Sequence, residues 1–154
     1  MSSPALPRLT SALADEHRTR LTGLAHEVDF PSGTRLFNEG GHADRFWVLR
    51  SGTVTLDMHV PGRRPAVIET LGSDELVGWS WLFRPYVWQL GAEVKTPVHA
   101  FEFDAHAVRA QMESDPAFSA AVTGWVSRVL AHRLHAARTR LLDLYAPYGS
   151  GHAM

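Results

Sequence analysis

A chain of 154 residues that is 45% hydrophobic falls near the usual size of one domain and can bury a sizeable core without staples. Its formal net charge of -1 argues against a nucleic-acid-binding domain, which usually carries a clear positive excess. With no cysteine, it has no disulfide framework, thiolate nucleophile or zinc knuckle.

Residues 1–8 lack the basic start and apolar stretch of a signal peptide, and no run approaches the roughly twenty apolar residues that span a bilayer. The expectation is a soluble, cytoplasmic protein that makes no membrane contact. Leu9, Leu13, Leu21, Leu24 and Val28 then recur at helical spacing. A helix carrying Leu21 and Leu24, capped by Asp15, is expected to lie as a lid over a barrel formed by the residues after it.

From Phe30 to Phe83 the pattern changes. Gly33, Gly40, Gly41, Gly52, Gly62, Gly72 and Gly78 separate short apolar runs, as glycines do at tight turns. Phe46 and Val48, then Val54, Leu56, Met58 and Val60, recur at every second position, the period of a strand with one buried face. Trp47 and Leu49 interrupt the polar face. Later runs, Pro65 to Leu71 and Val94 to Phe103, add Ile68, Val94, Val98, Phe101 and Phe103 to the same core. Short strands with regular turn signals predict an all-β sandwich or barrel.

The segment Phe30-Pro31-Ser32-Gly33-Thr34-Arg35-Leu36-Phe37-Asn38-Glu39-Gly40, followed by Ala43-Asp44-Arg45-Phe46-Trp47-Val48-Leu49-Arg50-Ser51-Gly52-Thr53-Val54, resembles the cyclic-nucleotide-binding domain of catabolite-activator-type regulators. The likeness in order, spacing and glycine placement covers about residues 8–145. It implies a mainly β domain with flanking helices: an eight-stranded jelly-roll β-barrel, a helix before it, a phosphate-binding cassette within it and a long C-terminal helix. On that reading residues 8–145 form one domain, with the barrel at about 28–103, helices at about 104–145, and a tail at 146–154.

In the family the resemblance names, a Phe-Gly-Glu-type turn opens a short helix whose N–H groups face the cyclic phosphate, and the carboxylate takes the ribose hydroxyl. An arginine about ten residues later pairs with the phosphate through its planar fork. Here Val77-Gly78-Trp79 occupies the turn, so Trp79 stands at the glutamate position, and an indole accepts no hydrogen bond. Trp88 stands at the arginine position, with Gln89 beside it. Glu75 precedes the turn by three residues and does not obviously rescue the ribose contact, while Arg84 is the candidate substitute cation. The candidate ligand-binding residues are Val77, Gly78, Trp79, Ser80, Arg84, Trp88 and Gln89.

Two outcomes stay open at this point. Trp79, Trp81, Tyr86 and Trp88 fill the cavity, the default use of large aromatic residues. Alternatively a pocket survives with altered preference, taking a different nucleotide or another anionic small molecule. Ordinary cyclic-AMP or cyclic-GMP binding ranks below both, because losing the phosphate-paired arginine removes on the order of one or two charge-assisted bonds. No cofactor follows from the residues.

After the barrel, Asp104 precedes a short helix holding Val108 and Met112, and Asp115-Pro116 supplies an N-cap with proline at the first helical position. The long helix, about Pro116 to Tyr145, carries Phe118, Val122, Trp125, Val126, Val129, Leu130, Leu134, Ala137, Leu141, Leu144 and Tyr145 at three- and four-residue steps. At about 45 Å it is too long for one small barrel to cover. The resemblance supplies a twofold mate, so a homodimer is expected through Trp125, Val129, Leu134 and Leu141. The alternative is a break near Gly124 and a fold-back on the barrel.

In catabolite-activator-type regulators a winged helix-turn-helix follows this helix, whereas the sequence here ends nine residues after Tyr145, so no DNA binding is expected. Arg128, Arg133, Arg138 and Arg140, with His132 and His135, are read as a solvated helix face or a dimer rim paired with acidic neighbours.

The nine histidines raise the question of a cupin-type metal site, yet no His-x-His or His-x-x-x-His pair falls on a predicted strand, and His132 and His135 sit among arginines. Neither a metal site nor a catalytic residue is assigned: no serine or threonine comes with an identifiable base and orienter, and the chain is not expected to be an enzyme. The functional expectation is a stand-alone regulatory sensor or adaptor with altered or lost cyclic-nucleotide binding, signalling through its C-terminal helix to an unidentified protein partner. The alternative is a ligand-free dimeric interaction module with a tryptophan-filled pocket, and the weaker one a cupin-like metal enzyme.

Overall fold

The computed structural model describes residues 9–145; residues 1–8, the 146–154 tail and the Tyr145 side chain lie outside the described residues. The described residues start with two short helices, α1 (Leu9–Ala12) and α2 (Asp15–Thr22); Leu9 and Leu21 on them and Leu13 between them are buried. Asp15 does not cap α2. Ala14 holds the N-cap position without a side-chain bond, and Asp15 is the first helical residue, 2.5 Å from Arg18. A carboxylate inside the first turn still meets the positive end of the helix, which is the physical reason the residue suits this place. Leu24 lies beyond the helix end and packs against the core.

The strands are β1 (Ala25–Phe30), β2 (Arg35–Phe37), β3 (Arg45–Met58), β4 (Ala66–Leu71), β5 (Leu76–Val77) and β6 (Gly91–Asp104). All pairings are antiparallel. The path runs β1-β6-β3-β4, with β2 added on β6 and β5 on β3. The two long strands bend together: the β3 register slips between Leu49 and Val54 opposite Thr96 to His99 of β6. Gly52, at φ +87°, makes this bend possible, because a Cβ there would lie 2.2 Å from the Pro97 carbonyl oxygen. Each long strand thereby serves two walls, giving a mostly antiparallel jelly-roll-like core as the resemblance implied, with six strands among the described residues in place of the eight expected, because β3 and β6 each run unbroken through a bend.

Alternation holds where one face is wet and fails where both are covered. Phe46, Trp47, Val48 and Leu49 are all buried. Phe46 stacks on Trp81 and Phe103, with centroids 4.0 and 4.6 Å away, while Trp47 lies against Phe37 and donates its indole N–H to Glu102 at 2.9 Å. At the far end of β3, Met58 is exposed rather than core, and Phe101 and Ile68 are only half-buried.

Two helices close the described chain, α3 (Ala105–Ser114) and α4 (Pro116–Tyr145). Asp104 Oδ1 accepts from the His106 and Ala107 amides, and Asp115 Oδ1 from Ala117 and Phe118, so both expected caps form. Arg20 ties α2 to the second cap, and its hydrogen bond holds the Asp115 carboxyl below the usual carboxylate range. α4 runs unbroken through Gly124, which corrects the fold-back alternative: a single glycine weakens a helix interior without ending it, and the packing on either side outweighs that cost.

Phe118, Val122, Trp125, Val126 and Val129 bury one side of α4 within the protein's own core. Trp125 and Val129 are therefore not free to form a partner surface. Leu134 and Leu141 are 72% and 53% exposed, with Leu142 and Leu144 also exposed beside them. Among the described residues no helix is long and apolar enough to cross a membrane.

Candidate functional site

The candidate site is the segment that comes after β5. Leu76 and Val77 pair with Val48 and Trp47 of β3, which fixes the start of the turn in the barrel wall. Gly78 then takes φ +96°, and Ser80–Leu82 form a single 3-10 turn. Trp81 points into the core, fully buried, stacked on Phe46, its indole N–H donated to the Gly78 carbonyl at 3.2 Å.

Trp88 enters from the other side. Its amide donates to the Gly41 carbonyl and its own carbonyl accepts from Gly40, both at 2.9 Å, so the backbone of this residue is pinned to the β2–β3 connection. The indole stacks on Phe37 with centroids 3.8 Å apart and an 11° tilt. It also lies directly on Gly78, where a Cβ would meet Trp88 Cη2 at 2.7 Å. Glycine at 78 thus serves two ends, the positive φ of the turn and the approach of an indole. The space left among Phe37, Leu56, Trp79, Ser80, Trp88 and Gln89 is about 10 Å3, about what one water needs.

Of the residues expected at the site, Gly78, Trp79, Ser80, Trp88 and Gln89 come together around this small cavity, and Val77 is buried in the core without lining it. Arg84 does not join them. It is exposed, with its guanidinium 5.8 Å from the Tyr86 ring centroid, outside the cavity lining. Glu75 is committed elsewhere, accepting from the Gly72 amide at 2.8 Å.

The cation at the cavity comes instead from α4, and it corrects the reading of Arg133 as part of a solvated face. The Arg133 side chain is 11% exposed. Its Nη2 donates to the Leu76 carbonyl, its Nε stands 3.8 Å from Glu69 Oε1, and its Nη1 is buried without a partner. Burial pushes the guanidinium below the usual arginine range, opposed by the charges of Glu69 and Glu75. The signal for this residue was present in the sequence, because 118, 122, 125, 129 and 133 form one run of helical steps, and the last of them is an arginine in an apolar stripe.

A second arginine holds the far end of the cassette. Arg109 of α3 donates to the Trp81 carbonyl at 2.6 Å and lies 4.1 Å from the Tyr86 ring centroid. The segment between Leu76 and Tyr86 is therefore tied to both C-terminal helices. Among the described residues no group of three His, Asp or Glu side chains is placed to hold a metal ion.

A jelly-roll whose short internal turn is braced by two C-terminal helices has the architecture of a ligand-sensing regulatory domain. The chain belongs to the cyclic nucleotide-binding domain family, which it matches over residues 27–115. It is 32% identical over 124 residues to a CRP-like cAMP-activated global transcriptional regulator of Mycobacterium tuberculosis, covering 80% of this chain and 54% of that protein. The chain spans about half the length of the curated relatives it matches. Among solved structures, the N-terminal domain of a Streptomyces coelicolor transcriptional regulator superposes with TM-score 0.67 at 28% identity, covering 85% of this chain and 92% of that one. A c-di-GMP-responsive global regulator of Xanthomonas campestris gives TM-score 0.76 at 18% identity over 87% of this chain and 66% of its own, a likeness of fold.

Proposed function

We propose that this chain is a regulatory module in which ordinary cyclic-nucleotide binding is altered or lost, and whose output passes through α4 to a protein partner. One observation carries the reading: Trp88 lies on Gly78 where the family's phosphate-binding arginine is expected, and about 10 Å3 remains. Trp79 supplies no acceptor for a ribose hydroxyl. Arg109 and Arg133 give the cassette a direct grip on α3 and α4, so any change between Leu76 and Tyr86 is felt by the helices.

A thermal melt with cyclic AMP, cyclic GMP and cyclic dinucleotides at about 1 mM tests this, since a ligand at 100 times its Kd adds about 2.7 kcal/mol. The expected result is no shift with cyclic AMP or cyclic GMP. A shift of several degrees with either overturns the reading.

The first partner proposed for α4 is a second copy of the chain, through the exposed Leu134 and Leu141. Sedimentation of the wild type as a dimer, and of Leu141→Glu as a monomer with an unchanged melt, is the expected pair of results. A monomeric wild type at tens of micromolar overturns the homodimer. The second reading, a ligand-free interaction module, is favoured by the close fit of Trp88 between Phe37 and Gly78.

A further inference from the structure

The cavity beneath Trp88 has one cationic wall, and that wall is incompletely used. Arg133 spends Nη2 on the Leu76 carbonyl and points Nε toward Glu69, which at 3.8 Å is beyond hydrogen-bond reach. Nη1 is left buried with no acceptor. A buried donor without a partner forfeits its hydration and gains nothing in return, and the penalty is larger for a charged group. Fold alone does not call for this charge, because a leucine or methionine would continue the stripe of Phe118, Val122, Trp125 and Val129 without that penalty.

The shape beside Arg133 is also informative. Trp88 occupies a slot between the Phe37 ring, 3.8 Å away, and the bare backbone of Gly78. That slot accepts a flat bicyclic ring. The Trp88 backbone is pinned by Gly40 and Gly41, so the slot opens by rotation of the indole with the backbone left in place. Charge limits the occupant further. Glu69 stands near the guanidinium, and both Glu69 and Glu75 act on it electrostatically, so these carboxylates disfavour a doubly charged ligand over a singly charged one.

We propose that Arg133, rather than Arg84 or any residue of the cassette itself, is the anion anchor of this site, and that its ligand is a flat aromatic body bearing a single negative charge, admitted when the Trp88 indole rotates out. The inference rests on the reading of the cassette as altered and closed by Trp88. Binding would pair Nη1 with the anionic group and place the ring against Phe37, so that α4 holds the ligand directly. An aromatic carboxylate and the cyclic phosphodiester of a purine nucleotide share this chemistry, and the test separates them.

The test uses the full chain carrying Trp88→Ala, which vacates the slot, titrated calorimetrically with indole-3-carboxylate, with its neutral carboxamide and with cyclic AMP. The carboxylate is expected to bind at least about tenfold tighter than the carboxamide, as a charge-assisted bond to a buried guanidinium requires. That ratio should fall to near one when Arg133→Gln is added, and Arg84→Gln should leave it unchanged. Cyclic AMP binding that Arg133→Gln abolishes supports the same anchor and assigns the ring and charge to a nucleotide. Equal binding of carboxylate and carboxamide, or a preference that survives Arg133→Gln, overturns the proposal. If Trp88→Ala does not fold, Trp88→Leu with benzoate against benzamide asks the same question, and absence of binding to every foldable variant also overturns it. The outcomes separate this inference from the function proposed above: a wild-type response to cyclic AMP that needs Arg133 removes the closed cassette and keeps the anchor. Loss of charge preference in the opened variant does the reverse.

Discussion

Arg35 and Arg133 are both arginines set against the barrel, and their surroundings are opposite: the Arg35 side chain is 31% exposed and fully paired, whereas the Arg133 side chain is 11% exposed and is not. Arg35 forms a bidentate pair with Asp57, Nη1 and Nη2 at 2.5 and 2.7 Å from its two oxygens, and Nε donates to Asn38 at 2.7 Å. Its hydrogen bond to Asp57 raises it above the usual arginine range. Even the backbone makes way for this pair, since a Cβ on Gly91 would lie 2.0 Å from Arg35 Nη2. Arg133 is pushed the other way, by desolvation first, with its one ion-pair partner at 3.8 Å and a donor unspent. A partly exposed guanidinium matched to the buried Asp57 carboxylate holds β2 to β3. A buried guanidinium with a donor left over carries a desolvation cost that its contacts do not offset.

The sharpest way to break this contrast is to neutralise each arginine with a side chain of similar volume. Arg35→Met leaves Asp57, 7% exposed, as an uncompensated carboxylate, and should cost about 3 to 5 kcal/mol in urea unfolding. If Arg35→Met is neutral, the pair is decoration and the contrast is lost. Gly78→Ala comes next: the positive φ and the Trp88 contact together should cost about 1 to 3 kcal/mol, and the melt should be accompanied by a change in near-UV circular dichroism as the indole is displaced.

Arg133→Met should stay within about 1 kcal/mol of wild type or stabilise the protein, because it removes a desolvated charge and fills the stripe. A loss as large as that of Arg35→Met would make Arg133 a structural cation and dissolve the distinction. The smallest expected effect concerns a third paired cation, the exposed His99. Its hydrogen bond to Asp29, then that to Glu27, raises its pKa above the usual 6.5. A raised folded value means this stabilisation is fully present below about pH 6.5 and is lost as pH climbs through the folded pKa. His99→Gln should remove that part of the pH dependence, so the gap between the melting temperatures of wild type and variant narrows from pH 6 to pH 8; a constant gap would detach His99 from the titration.

Much of the cassette was legible because spacing and glycine placement locate a turn without any knowledge of what surrounds it. Gly78-Trp79 and the Trp88-Gln89 pair, which the resemblance assigned to a cassette, line one small cavity, and Val77 is buried next to Gly78. Arg84 was a reasonable candidate from chain distance alone, but its side chain leaves on the outer side of the turn toward Tyr86. Asp15 shows a smaller displacement, since a carboxylate near a helix start suits either the cap or the first turn, and only backbone dihedrals distinguish them.

Residue order alone was enough to predict the jelly-roll-like core and the two capped C-terminal helices, because periodicity and capping are local properties of the chain. Packing in three dimensions settled which tryptophan closes the pocket, that Trp125 and Val129 serve the core, and that Arg133 reaches the cavity. Those outcomes depend on how α4 lies across the barrel wall. A side chain more than forty residues from the cassette meets it there through contacts that no local pattern encodes.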